Sequence, residues 1–245
     1  MSAPRTLCAV LALLAAGTAG AVLSVPAHAQ GDSEQIQKGR TLFVEGCSTC
    51  HGIDAAGVSG VAPSLQGVGA RSADFYLSTG RMPLDHPGAE PLRSDPTYST
   101  EEIDALVAYI GSLGGPPVPE VQPQDGSLNE GLRLFLHYCA GCHQVGARGG
   151  EVVGAFAPRL TDPTPTEVAE AVRVGPYVMP TFAESLISDT QLNSIIRYVE
   201  YTKKPDNRGG WGIGNIGPVP EGAVAWLIGL PFLLLVARLI GERIK

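Results

Sequence analysis

Four cysteines of this chain stand in two matching settings, Cys47-Ser48-Thr49-Cys50-His51 and Cys139-Ala140-Gly141-Cys142-His143. Two thiols three residues apart on one helical turn can each form a thioether with a haem vinyl group. A histidine directly after the second is placed to ligate the iron from one face. The same thiols could form two disulfides, as exported thiols do, or bind zinc. Neither alternative calls for a histidine after each pair. The pattern is therefore read as two covalently bound haem c groups, held by Cys47, Cys50, Cys139 and Cys142, with His51 and His143 on iron. The fifth cysteine, Cys8, lies in an apolar run and is read as an ordinary apolar residue.

The iron of a haem held in this way has a sixth position that a further ligand can fill. Beyond the initiator the chain has two methionines, Met82 and Met179, each directly before a proline. They follow their haem histidines by 31 and 36 residues. A thioether is a soft, neutral ligand that favours ferrous iron and raises the potential of a low-spin haem. A lone methionine ordinarily fills a gap in a core, but one per motif, at matching places, points to axial ligation. His86 lies near Met82 and His137 just before the second motif; both are assigned to solvent or local hydrogen bonds. Arg81, beside Met82, could pair with a haem propionate or stay solvated.

The elements that position these groups form a repeat. Gly39, Leu42 and Phe43 correspond to Gly131, Leu134 and Phe135 at an offset of 92. Ala62-Pro63-Ser64-Leu65 corresponds to Ala157-Pro158-Arg159-Leu160, and Ser99–Ile110 to Ser188–Val199, with Tyr109 opposite Tyr198. The offsets change between landmarks, which implies small loop insertions. Closing helices are announced by Ser99-x-x-Glu102 and Ser188-x-x-Gln191, and the second opening helix by Ser127-x-x-Glu130. Ile103, Leu106, Val107 and Ile110, and then Leu192, Ile195, Ile196 and Val199, recur at helical spacing. No segment alternates well enough to read as a strand, so the expected fold class is all-α.

The rest of the chain bounds location and partners. Residues 1–29 read as a signal peptide, with Arg5 before the apolar run Leu7–Val25 and Ala27-His28-Ala29 as the cleavage signal. That run is also long enough to stay as a first membrane helix. Residues 30–113 and 126–203 are the two expected domains, joined over 114–125 by a spacer carrying Pro116, Pro117, Pro119 and Pro123. A glycine-rich connector, 204–222, has Trp211 suited to a membrane interface. Residues 223–241 are apolar enough for a transmembrane helix, with Pro231 in the middle and Arg238 near the end. Arg243 and Lys245 follow, which places the C-terminus in the cytoplasm and residues 30–222 outside. A net charge of −7 without a basic run elsewhere argues against nucleic acid as a partner.

With these residues in place, each unit resembles a class I cytochrome c domain, over about residues 33–113 and 126–203. In that family a glycine and an aromatic of the opening helix pack on an aromatic of the closing helix. Gly39 and Phe43 with Tyr109, and Gly131 and Phe135 with Tyr198, stand at the matching places. The proline whose carbonyl orients the haem histidine corresponds to Pro63 and Pro158.

The whole chain resembles the dihaem cytochrome c subunit of the actinobacterial menaquinol–cytochrome c reductase, the cytochrome bcc complex. The shared features are an exported N-terminus, tandem C-x-x-C-H units, one C-terminal anchor and the run Gly209–Gly222. The resemblance implies two tandem class I cytochrome c domains plus a C-terminal transmembrane helix. It also implies an electron-carrying subunit of the reductase at the cytoplasmic membrane, with the haem domains on the extracytoplasmic side. Electrons would pass from a Rieske iron–sulfur subunit through both haems to a cytochrome oxidase, while the quinol site lies in a partner cytochrome b subunit. A dihaem electron-transfer subunit of a terminal oxidase or membrane dehydrogenase is the alternative. A dihaem peroxidase needs an open sixth position, which the two methionines argue against.

Overall fold

The computed structural model describes residues 27–206 and 222–242. The segment before Ala27 that reads as a signal peptide, the run holding Trp211 and the terminal Arg243 and Lys245 lie outside the described residues. The elements are α1 (Ala27–Gly46), α2 (Ser48–His51), α3 (Ala70–Ser78), α4 (Thr100–Ser112), α5 (Leu128–Tyr138), α6 (Ala140–His143), β1 (Gly150–Val152), β2 (Ala155–Ala157), α7 (Pro165–Val174), α8 (Asp189–Lys203) and α9 (Leu230–Glu242). Residues up to 200 make one compact unit, and those from 201 make a second.

The first repeat is built on the crossing of α1 and α4. Gly39 lets the helices meet: a Cβ there would run into the Ala105 carbonyl. Beside that crossing Phe43 packs on Tyr109 with ring centroids 5.3 Å apart. The second repeat does the same with α5 and α8. A Cβ on Gly131 would meet the Ser194 carbonyl, and Phe135 packs on Tyr198 at 5.1 Å. Helical periodicity puts Leu106 and Ile110, and then Ile195, Ile196 and Val199, on the faces that close each core, where all are buried.

The end signals read from the sequence hold at both closing helices. The Ser99 amide donates to Glu102 Oε2 at 2.9 Å. The Ser188 amide donates to Gln191 Oε1 at 3.0 Å, while the Gln191 amide donates back to Ser188 Oγ at 3.3 Å. At α5 only half of the expected box forms. Ser127 Oγ accepts from the Glu130 amide, but the Ser127 amide donates to Ser194 Oγ of α8 at 3.0 Å. Ser194 therefore takes the place of the Glu130 carboxylate, and the cap becomes a tertiary contact. A further box, Thr164 with Glu167 and Pro165 between them, opens α7.

One small hairpin departs from an otherwise helical unit. β1 pairs antiparallel with β2, Glu151 opposite Phe156, in the loop between His143 and Pro158. The first repeat has a single bridge, Val58 with Ala62, at that place. The histidine-to-proline spacing is fifteen residues here against twelve there, and the longer loop folds on itself.

The proline-containing segment between the repeats is laid down on both. The Arg71 amide donates to the Pro116 carbonyl at 3.3 Å, and the Gln122 amide donates to Asn193 Oδ1 at 2.9 Å. The repeats also touch directly, through α3 against α7. Arg93 reaches both Glu167 carboxylate oxygens, at 3.1 and 3.2 Å, and Tyr177 donates to Glu90 Oε1 at 3.2 Å.

In the second unit, Gly222–Glu242, with an 18-residue window of mean hydropathy 2.3, is a continuous helical stretch of 21 residues. At ~1.5 Å per residue it reaches ~31 Å, matching the ~30 Å hydrocarbon core of a bilayer. Ala225–Gly229 is wound as a π-helical turn. Pro231 has no N–H to return to the preceding turn, and the wider winding before it absorbs that loss. Arg238 pairs with Glu242 at 2.9 Å near the helix end.

Candidate haem centres

Each motif occupies the join between an opening helix and a single following turn. The Cys47 amide donates to the Phe43 carbonyl, and the His51 amide donates back to the Cys47 carbonyl at 3.0 Å. Cys139 and His143 repeat this at 2.9 Å. Both cysteines and the histidine of each motif thus lie on one turn, and all four thiols are free.

Burial keeps the first thiol of each motif neutral. The Cys47 thiol is pushed up to about 11 and the Cys139 thiol to about 12, by burial first and by the neighbouring Cys50 or Cys142 second. Redox-active C-x-x-C pairs work through a thiol whose pKa is lowered instead. The environment suits thiols committed to a covalent attachment rather than to disulfide exchange.

The histidines are set by a carbonyl. His51 Nδ1 lies 2.9 Å from the Pro63 carbonyl oxygen, and His143 Nδ1 lies 3.0 Å from that of Pro158. A carbonyl can only accept, so Nδ1 carries the hydrogen and Nε2 keeps the lone pair that an iron ligand needs. His143 is 8% exposed, and burial lowers its pKa against the opposing pull of the Pro158 carbonyl. The imidazole is thereby held neutral.

Met82 is half-buried and packs, together with Cys47, against the core cluster of Phe43, Leu106 and Ile110. Its loop is tied down on both sides: the Met82 amide donates to the Tyr76 carbonyl at 3.0 Å, and the Ser94 amide to that of Thr79 at 3.2 Å. Arg81 is not a free surface arginine. It donates to the Pro91 carbonyl at 2.6 Å and lies over the Phe75 ring at 5.2 Å. His86 makes a local contact with the Pro87 carbonyl, and His137 stacks edge-on against Tyr138.

Met179 sits in the loop between α7 and α8, its amide donating to the Pro176 carbonyl at 3.0 Å. Phe182 of this loop packs against Tyr138, the residue before Cys139, at 5.9 Å. Arg173 staples the loop. From α7 its buried guanidinium donates to the carbonyls of Phe182 at 3.0 Å and Ile187 at 2.8 Å, and to Asp189 Oδ1 at 2.7 Å. Arg173 had no signal in the sequence beyond a basic residue in the last turn of a helix.

These residues fit a haem in each repeat. Free paired thiols on one turn and a histidine set by its proline carbonyl are present in both, and in the first repeat the Met82 thioether shares the core cluster of Cys47. The fold and the paired motifs define a tandem c-type cytochrome with an apolar C-terminal helix.

Comparison with known proteins narrows this class. Residues 36–114 match the family model described as cytochrome c, and residues 126–199 match cytochrome c oxidase, cbb3-type, subunit III. The cytochrome bc1 complex cytochrome c subunit of Corynebacterium diphtheriae is 36% identical over 89% of this chain and 84% of its own length. That of Mycobacterium leprae is 36% identical over 96% of this chain and 86% of its own. A Bradyrhizobium cbb3-type cytochrome c oxidase subunit FixP is 31% identical over 51% of this chain and 44% of its own. The chain belongs to the family of cytochrome c subunits of the cytochrome bc1 complex, electron-transfer components of a multi-subunit membrane assembly.

Proposed function

We propose that this chain is the dihaem relay of a menaquinol–cytochrome c reductase, carrying electrons from a Rieske iron–sulfur subunit to a cytochrome oxidase. The observation that carries this reading is the repeated histidine–proline pairing within one compact unit. His51 is set by Pro63 and His143 by Pro158, in a chain of this family. Bound haem c supplies one-electron oxidation and reduction at iron. Cys47 and Cys50, and Cys139 and Cys142, would hold the two haems. His51 with Met82, and His143 with Met179, would ligate the irons. A soft sulfur ligand opposite a neutral imidazole raises the potential into a range suited to a terminal acceptor.

The remaining side chains position these ligands. The proline carbonyls fix the imidazole tautomer, while the Ser94 and Arg173 contacts hold the methionine loops. Direct packing of the repeats keeps both centres in one body, so an electron need not wait for a mobile carrier. The apolar stretch 222–242 anchors this body, with residues 30–222 extracytoplasmic. The cytochrome b subunit supplies the quinol site, and the oxidase docks alongside.

A second reading rests on the cbb3-type match of residues 126–199 and on the Bradyrhizobium relative: a dihaem subunit of a terminal oxidase. Purification from native membranes distinguishes the two. Cytochrome b and Rieske subunits should copurify with this chain. A catalytic oxidase subunit without either would overturn the reductase reading.

A further inference from the structure

Between the two repeats lies a buried acid that the haem chemistry does not use. Glu170 of α7 is 0% exposed. Neither of its carboxylate oxygens has a hydrogen-bond donor. The group beside it is another carboxyl, that of Asp74, contributed by α3 of the other repeat and within bonding reach. Two carboxylates are both acceptors, so while both are ionised they only repel. Once either takes a proton, the contact becomes a hydrogen bond.

The surroundings do not supply the missing positive charge. One turn before Glu170 stands Glu167, already occupied by Arg93. Asp104, on α4, faces Asp74 and adds to the negative field. Arg71, on α3, pulls Glu170 downward only as the smallest of the influences on it, because Glu184 and Asp189 share its charge, and its buried Nε finds no acceptor. Arg173, on α7 itself, is committed to Asp189 and two carbonyls. A fully buried carboxylate with no donor and a like charge beside it is costly, and a shared proton removes both costs.

We propose that Glu170 holds a proton at the junction of the two repeats and donates it to Asp74, so that docking of the repeats binds one proton. The direction of the charge effects agrees. Burial, and then the Asp74 carboxyl, push Glu170 up to about 9. Burial raises Asp74 too, with the bond from Glu170 pulling against it. Glu170, fully buried where Asp74 is only half-buried, is the proton holder and Asp74 the acceptor. A carboxyl whose pKa is raised on folding binds its proton more tightly in the folded state. Docking is then strongest below the ordinary carboxylate range and weakens as pH rises from there through about 9.

Infrared titration of the full-length, detergent-solubilised protein with both haems bound tests this. At neutral pH the spectrum should contain the carbonyl band of a neutral carboxylic acid, which fades as pH passes about 9. Glu170→Gln keeps a donor toward Asp74, so it should remove the band while leaving the repeats docked at every pH. Asp74→Asn offers Glu170 a donor in place of a like charge. It should shift the fading to at least tenfold higher proton concentration. Spin labels on the two repeats should report a distance distribution that broadens at high pH in the wild type and not in Glu170→Gln. The proposal is overturned if no neutral carboxyl band appears at neutral pH, if the band survives Glu170→Gln, or if the wild-type distance is unchanged across the transition.

Discussion

Tyr198 of α8 donates its hydroxyl to the carbonyl of Val145, 2.8 Å away, two residues beyond His143. The closing helix is thereby fastened to the backbone that leaves the haem motif, while the ring of the same tyrosine packs on Phe135 of the opening helix. One side chain joins both helices and the motif loop. Tyr198→Phe keeps the ring and loses the bond, at a cost of ~1 kcal/mol. Thermal denaturation followed in the haem absorption should show a midpoint a few degrees lower.

The helix crossings make a sharper prediction. A methyl group at Gly39 or Gly131 would collide with backbone, which cannot swing aside as a flexible side chain can. Gly39→Ala and Gly131→Ala should each destabilise the affected repeat by ~3 kcal/mol. Denaturant titration should show the affected repeat unfolding first, and the other, having lost its packed neighbour, at somewhat lower denaturant than in the wild type.

Covalent attachment is checked by extraction. Acid–acetone should leave the colour on the protein, and mass spectrometry should find two haem additions on the exported chain. Cys47→Ser or Cys139→Ser should each remove one thioether. Complete extraction of haem, or zinc in place of iron, contradicts the assignment.

Axial ligation by Met82 and Met179 predicts two six-coordinate, low-spin haems. Oxidised protein should show the weak near-infrared sulfur–iron band, and reduced protein should bind carbon monoxide poorly. Met82→Ala or Met179→Ala should open one site each and lower its potential, because the soft ligand is lost. Redox titration with carbon monoxide binding reads both effects.

Ending the chain after Lys204 tests the anchor. Both repeats are complete at that point, so export, folding and loading with two haems should continue. The truncated protein should appear in the soluble fraction or separate from the reductase in detergent, and quinol-dependent respiration should fall. Full respiration from a membrane-bound truncated chain would point to Leu7–Val25 as a retained anchor.

Much of this molecule is legible along the chain because its chemistry is local. Thiols three residues apart with a histidine next to them mark a candidate haem site through covalent spacing alone. Ser99 with Glu102, and Ser188 with Gln191, mark helix starts because their partners sit one turn away. The three-residue strands of the hairpin are too short for alternation to register, so the longer spacing before Pro158 showed only as an insertion. Ser127 and Glu130 have the spacing of a capping box, yet α8 brings Ser194 close enough to take one of its bonds.

By itself the sequence determined the two C-x-x-C-H motifs, the helices around them and the apolar C-terminal stretch, since each depends on residues within a few turns of one another. Only the tertiary structure decided that Arg173 staples the Met179 loop and that Glu170 faces Asp74 without a donor. Along α7, Glu170 reads as one more acid on a helix bearing Glu167 and Arg173. Its burial comes from α3 of the other repeat, and no periodicity within either helix carries that information. Contacts between distant segments depend on how loops are routed and surfaces fit, so they emerge only when the chain is packed.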